Sequence, residues 1–131
     1  MIDIKSLSVG DWIRHDFYEE DMCIHLICED GRVGAISKSR FSVSCHIDNF
    51  VPIPITREIL EKNGFVAKSK IGELDEFIAD GIYIATADDC YGWRIGIYEE
   101  DGVPGFSASV RSVHEMQHCF TIAGINKEIE L

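Results

Sequence analysis

The residues best suited to chemistry by type and spacing are His114-Glu115-Met116-Gln117-His118. They match the H-E-x-x-H pattern, in which two histidines one helical turn apart grip a zinc ion and the glutamate serves as base. A catalytic zinc also needs a third protein ligand and an open position for water. In the extended form of the motif a glycine and a third histidine follow, but those positions hold Thr121 and Gly124. The remaining local donors, Glu128 and Glu130, lie in a short tail. A zinc-dependent hydrolase built on His114, Glu115 and His118, with Glu128 or an upstream acid as third ligand, is therefore the alternative reading. The main reading has no catalytic residues and no cofactor, since Ser-His-Asp spacing, a phosphate-cradling glycine loop and a calcium loop are also missing.

The element that must position these histidines is a helix from Val113 to Gly124. At about 100° per residue Val113, Met116, Phe120 and Ala123 share one face, which marks it as the core face. Ser112 suits the N-cap, and Gly124 suits the left-handed residue that ends a helix. His114 and His118 fall on the side away from Met116 and Phe120 and are expected to face solvent.

A second set of candidates is cationic. Arg94 stands between Gly92 and Gly96 on one face of a strand, where missing side chains leave room for a backbone, a helix or a flat ligand. Ser107, Ser109 and Arg111 line one face of the next strand. With Tyr98, His114 and His118 they compose a candidate ligand-binding surface for a phosphate or carboxylate. The competing reading pairs Arg94 and Arg111 with nearby carboxylates. Trp12, Arg14, His15 and Tyr18 form a further polar and aromatic cluster, of a composition that interfaces favour but that also suits a core edge.

The strands that carry these residues read as antiparallel. Val9-Gly10-Asp11 is a turn signal before a strand at Trp12-Ile13-Arg14. Met22 to Cys28 and Arg32 to Ile36 flank Asp30-Gly31, which predicts a hairpin with a type I′ turn. From Phe41 to Asp48 the alternation puts Phe41, Val43, Cys45 and Ile47 on a buried face. Pro52 and Pro54 keep residues 50–55 out of a central strand, so that stretch reads as an extended connector. Thr56 caps a short helix from Arg57 to Asn63, stopped by Gly64. Strands follow at Phe77 to Ala87 and Tyr91 to Tyr98. A second Asp-Gly turn at Asp101-Gly102 leads to Phe106 to Val110, and a short strand is expected at Lys127 to Leu131. The fold class is α+β: a small bent antiparallel β unit over residues 1–50, then an antiparallel sheet with one short and one longer helix over residues 51–131, packed as one compact domain.

The chain has 131 residues and a formal charge of −11, with acidic runs at Glu19-Glu20-Asp21, Asp88-Asp89 and Glu99-Glu100-Asp101. That charge disfavours general nucleic-acid binding, and it also leaves open a DNA-mimic reading. Cys23, Cys28, Cys45, Cys90 and Cys119 form no C-x-x-C pair and suit a reduced, cytoplasmic protein. No apolar stretch is long enough to cross a bilayer, so no membrane partner is expected.

Three stretches resemble an uncharacterised family of small acidic proteins encoded by gut bacteria and their phages. They are Leu7-Ser8-Val9-Gly10-Asp11-Trp12-Ile13; Ile53-Pro54-Ile55-Thr56 through Ile59-Leu60-Glu61-Lys62-Asn63-Gly64-Phe65; and Val113-His114-Glu115-Met116-Gln117-His118 through Gly124-Ile125-Asn126-Lys127-Glu128-Ile129. Its members often carry glutamine at the position of Glu115 and asparagine at that of His118, which would remove the base and one ligand of the zinc pattern and weighs against the peptidase reading. No activity comes with the resemblance; taken together with the missing catalytic constellation and the Arg94 and Arg111 surface, it leads to the expectation of a non-enzymatic phage or mobile-element binding protein, a homo-oligomer, that sequesters a small anionic, nucleotide-like signal or blocks a host protein in counter-defence.

Overall fold

A computed structural model describes residues 2–71, 74–79, 81–86, 92–98, 104–125 and 127–131, with backbone alone at 68–71, 74, 75, 86, 97, 98 and 104–107. The chain divides into two compact units, Met1–Pro54 with Ser112–His114, and Ile55–Arg111 with Glu115–Leu131. The architecture is α+β, with a five-stranded antiparallel sheet in each unit.

The first sheet contains β1 (Trp12–His15), β2 (Asp21–Ile27), β3 (Arg32–Ser37), β4 (Ser42–His46) and β5 (Phe50–Val51), in the order β4-β3-β2-β1-β5. Alternate residues supply its core: Ile13, Met22, Ile24, Val33, Ala35 and Phe50 are buried together with Ile2, Leu7 and Ile47. The alternation in β2 breaks at His25, an extra residue between the pairs Ile24↔Ala35 and Leu26↔Gly34. A bulge of this kind shifts the strand's phase and leaves Leu26 51% exposed.

The hairpin between β2 and β3 forms, but its turn is not type I′. Gly31 alone is left-handed, at φ 92°, while Asp30 is not. Cys28 N–H bonds to the Arg32 carbonyl at 2.9 Å and Gly31 N–H to the Cys28 carbonyl at 3.2 Å, which makes a three-residue loop closed by a left-handed glycine. In β4 the expected alternation is present, with Ser42, Ser44 and His46 exposed and Val43 and Cys45 half-buried. Phe41, assigned to the buried face, is 40% exposed. The proline-rich connector contributes only the two-residue β5, on the sheet edge against β1.

The second unit holds α1 (Arg57–Lys62), β6 (Val66–Ile71), β7 (Leu74–Ala79), β8 (Ile82–Thr86), β9 (Trp93–Tyr98) and β10 (Pro104–Val110). The sheet order is β10-β9-β8-β7-β6. The expected single strand from Phe77 is two strands, because the chain reverses at Gly81 with φ 79°. Ala87, Tyr91 and the Asp101-Gly102 turn lie outside the described residues. Strand β6 has no counterpart in the sequence reading. Phe77, Ala79, Ile82, Ile84, Ile95 and Val110 are buried on the sheet, as are Leu60, Phe65, Phe120 and Ile129 elsewhere in the unit. Arg57 sits over the Phe77 ring at 5.6 Å, and Trp93 Nε1 donates to the Ile55 carbonyl at 3.2 Å.

The longer helix, α2 (Val113–Ile122), has its first two residues grouped with the first unit and the rest with the second. Both helices end as their glycines predict. Gly64 (φ 87°) and Gly124 (φ 74°) are left-handed. In α1, Gly64 N–H bonds to Glu61 and Phe65 N–H to Leu60; in α2, Gly124 N–H bonds to Thr121 and Ile125 N–H to Phe120. These pairs close Schellman motifs that satisfy the last carbonyls. Thr56 Oγ1 accepts from Ile59 N–H at 3.3 Å, capping α1. The expected terminal strand is absent: residues 127–131 are held instead by Asn63, whose Nδ2 donates to the Glu130 carbonyl at 2.8 Å and whose Oδ1 accepts from Glu130 N–H at 2.7 Å. Among the described residues no helix is long and apolar enough to cross a membrane.

Candidate functional site

On the face of β9 that carries Arg94, the ladder puts Ser109 of β10 and Ala85 of β8 opposite Arg94, and Ser107 and Tyr83 opposite Gly96. Arg94, Ser109 and Arg111 are exposed. The side chains of Tyr98 and Ser107 lie outside the described residues.

The glycines flanking Arg94 do not leave open space. A methyl group at Gly96 would run into the ring of Tyr83, and one at Gly92 would meet the Val110 carbonyl oxygen at 2.9 Å and Arg111 Cγ at 3.2 Å. The room expected for a ligand is thus taken by the protein's own side chains, and Gly96 itself is buried. The consequence is a new neighbourhood: along its strand Arg94 is flanked by the Arg111 stem over Gly92 and the Tyr83 ring over Gly96. Two guanidinium groups, an aromatic edge and the Ser109 hydroxyl are the chemistry this face offers.

The histidines of α2 do not share an environment. His118 is half-buried, whereas His114 is only 5% exposed, with Nδ1 3.1 Å from Ser112 Oγ. This corrects the expectation that both face solvent. The connector runs beside the helix start, since Val113 N–H bonds to the Ile53 carbonyl at 2.9 Å and Pro54 bridges to Ser112. A buried polar side chain is tolerated when it is hydrogen-bonded. His114 belongs to the first unit, while the Arg94 set and His118 belong to the second. Among the described residues no group of three or more His, Cys, Asp or Glu side chains is placed to hold a metal ion.

Cys23, Cys28, Cys45 and Cys119 are free thiols, and Cys90 lies outside the described residues. Burial raises the pKa of the Cys23, Cys45 and Cys119 thiols, with a smaller contribution from Asp11 at Cys23 and from Glu115 at Cys119. Thiols held protonated are poor nucleophiles.

The cluster at the N-terminal strand separates into structural and exposed parts. Arg14 Nε pairs with Asp21 at 2.8 Å, and Trp12 is half-buried. His15 is buried, and its Nδ1 accepts from the backbone N–H groups of Phe17 and Tyr18 at 3.2 and 3.3 Å. Its Nε2 lies 3.6 Å from Cys45 Sγ, and its ring packs edge-on against Phe50 at 5.2 Å. On this buried ring stands Tyr18, which in turn carries two further exposed rings. Tyr18 is 4.7 Å from His15 and 5.0 Å from both Phe17 and Phe41. Phe17 is 82% exposed and Tyr18 49%.

The turns that present these aromatics each hold a non-glycine residue in left-handed backbone, Glu19 at φ 53° and Arg40 at φ 69°. Such conformations cost energy and concentrate at functional sites. Sequence reasoning missed Phe17 and Phe41. The available signal was a Phe-Tyr pair inside a polar inter-strand turn, where neither ring had a core face to enter.

Protein-family models, curated proteins and solved structures provide no match to this chain.

Proposed function

We propose that the protein is a non-enzymatic binding protein that covers a surface of another protein, as a phage or mobile-element product blocking a host protein would, and that Phe17, Tyr18 and Phe41 make the contact. The observation that carries this reading is the exposed three-ring cluster, seated on a buried histidine and displayed by two left-handed turns. Aromatic side chains on a supported surface are the usual anchors of protein interfaces. Asp16, Glu19 and Glu20 on the same turn favour a partner with a basic rim. The test is capture from host lysate with the native chain, identification of the captured protein, and calorimetry with Phe17→Ser and Tyr18→Ala. Each substitution is expected to weaken the identified complex on the order of tenfold or more. Unchanged affinity in folded variants would remove the proposal.

A second reading, sequestration of a small anionic ligand, is favoured by Arg111 lying over Gly92 beside Arg94. Titration with inorganic phosphate and a nucleotide tests it. Arg94→Ala removes a charge-assisted contact and is expected to weaken binding on the order of tenfold; absence of any binding by the native chain ends this reading.

A further inference from the structure

We infer that the free edge of β4 is a self-association surface, on which a second copy of this chain adds its own β4 in antiparallel orientation about a two-fold axis at Ser44. Among the described residues β4 has one neighbour, β3. The ladder between them shows which way each residue of β4 points its hydrogen-bonding groups. Ser37 N–H bonds to the Phe41 carbonyl at 2.8 Å, and Ile47 N–H bonds to the Gly31 carbonyl at 2.9 Å. Antiparallel pairs alternate between bonded and non-bonded, so in the register 36↔42 to 32↔46 the odd-numbered residues of β4 bond to β3. Ser42, Ser44 and His46 therefore direct their N–H and C=O groups to the open side, and all three are exposed.

The other sheet edges carry devices that discourage pairing. Strand β5 is two residues long and is followed by Pro52. Strand β6 contains Lys68 and Lys70, and β10 begins at Pro104. Strand β4, Ser-Val-Ser-Cys-His, has neither charge nor proline.

Its sequence also complements itself. With Ser44 opposite Ser44 of the second copy, Ser42 meets His46 and His46 meets Ser42, so the outward-facing backbone groups of the strand find partners across the axis; the His46 carbonyl, which already accepts from Asn49 Nδ2 at 3.1 Å, takes the new bond on its second lone pair. Just beyond the ladder, the same register brings exposed Arg40, in the turn before β4, to the end that carries exposed Asp48, in the helical turn after β4 and 3.3 Å from His46 Nδ1, twice by symmetry. Shifting the register by two residues loses a bonded pair and separates those charges.

Sedimentation equilibrium over a concentration series tests this with the full chain. The native chain is expected to form a dimer. Ser44→Lys places like charges face to face on the two-fold axis, and Arg40→Glu or Asp48→Arg creates two repulsive pairs; each is expected to raise the dimer dissociation constant on the order of tenfold. An equimolar mixture of Arg40→Glu and Asp48→Arg chains pairs opposite charges at both ends and is expected to recover the native association. A monomeric native chain, a dimer indifferent to Ser44→Lys, or a mixture without recovery would each overturn the inference.

Discussion

The ring of Tyr83 lies over Gly96, its cross-strand partner in the second sheet, so that the glycine's missing side chain is the seat of a tyrosine. Gly96→Ala drives a methyl group into that ring and displaces it. We expect a loss of about 1–2 kcal/mol, the range of a modest overpacking. In a Tyr83→Ala background the seat is empty, and the same change gains roughly 0.5–1 kcal/mol from a less flexible backbone. A double-mutant cycle in urea checks the reversal of sign; simple additivity of the two changes would show that the ring does not need the glycine.

A comparable dependence joins residues far apart in sequence. Asn63 spans from Ile59, whose carbonyl takes a bond from Nδ2 at 2.8 Å, to Glu130, with which its amide exchanges two bonds. Asn63→Asp keeps an acceptor but loses both donor bonds, and it sets a negative charge against two carbonyl oxygens. The expected cost is about 1–3 kcal/mol. Hydrogen exchange should show Glu130 N–H opening more readily in the variant, and an unchanged denaturation midpoint would contradict this account.

Those two contacts mark how far local rules reach. The helix ends were legible, because Thr56, Gly64 and Gly124 act through backbone groups within one turn. Hairpin existence was legible at Asp30-Gly31, but the turn type was not, since that pair also fits a loop in which glycine alone is left-handed. Strand β6 is not legible because Val-Ala-Lys-Ser-Lys-Ile is half polar, as suits a sheet edge, and offers no clear apolar alternation. Phe77 to Ala87 was fused into one strand because a single Gly81 provides the reversal. The histidine face of α2 was misjudged for a different reason. A helical wheel sees only its own helix, and it contains neither the Ile53 carbonyl that bonds to Val113 N–H nor the burial of His114 beside Ser112. At Arg94 the alternation of residues along the strand is legible in the sequence, but neither the pairing register nor the side chains that fill its glycines are.

The thiols give a pH prediction with a defined sign. Cys23, Cys45 and Cys119 have folded pKa values above the ordinary 9.0, chiefly through burial. Above that pH the unfolded chain releases protons that the folded chain retains, so the unfolded state binds fewer protons and stability falls as pH rises. Stability from these groups is complete below about pH 8.5 and is lost as pH climbs through the folded values. Denaturation midpoints between mildly and strongly alkaline pH should decline less steeply in Cys23→Ala and Cys119→Ala than in the native chain. Equal slopes would place the decline on other groups.

The two histidines of the H-E-x-x-H pattern should part company under substitution. His114 is buried beside Ser112, so His114→Ala leaves a cavity and takes from the buried Ser112 hydroxyl its partner at 3.1 Å, at an expected cost of about 2–3 kcal/mol. His118 is half-buried, and His118→Ala is expected to cost about 0.5–1 kcal/mol. A zinc hydrolase would behave otherwise, because its two ligands act as a unit: either substitution would release near-stoichiometric zinc and abolish activity. Elemental analysis of the native chain, run beside urea titrations of both variants, separates the outcomes. Unequal stability losses without metal fit the buried structural histidine seen here, whereas equal losses accompanied by release of bound zinc would restore the metal reading and set aside the binding function proposed above.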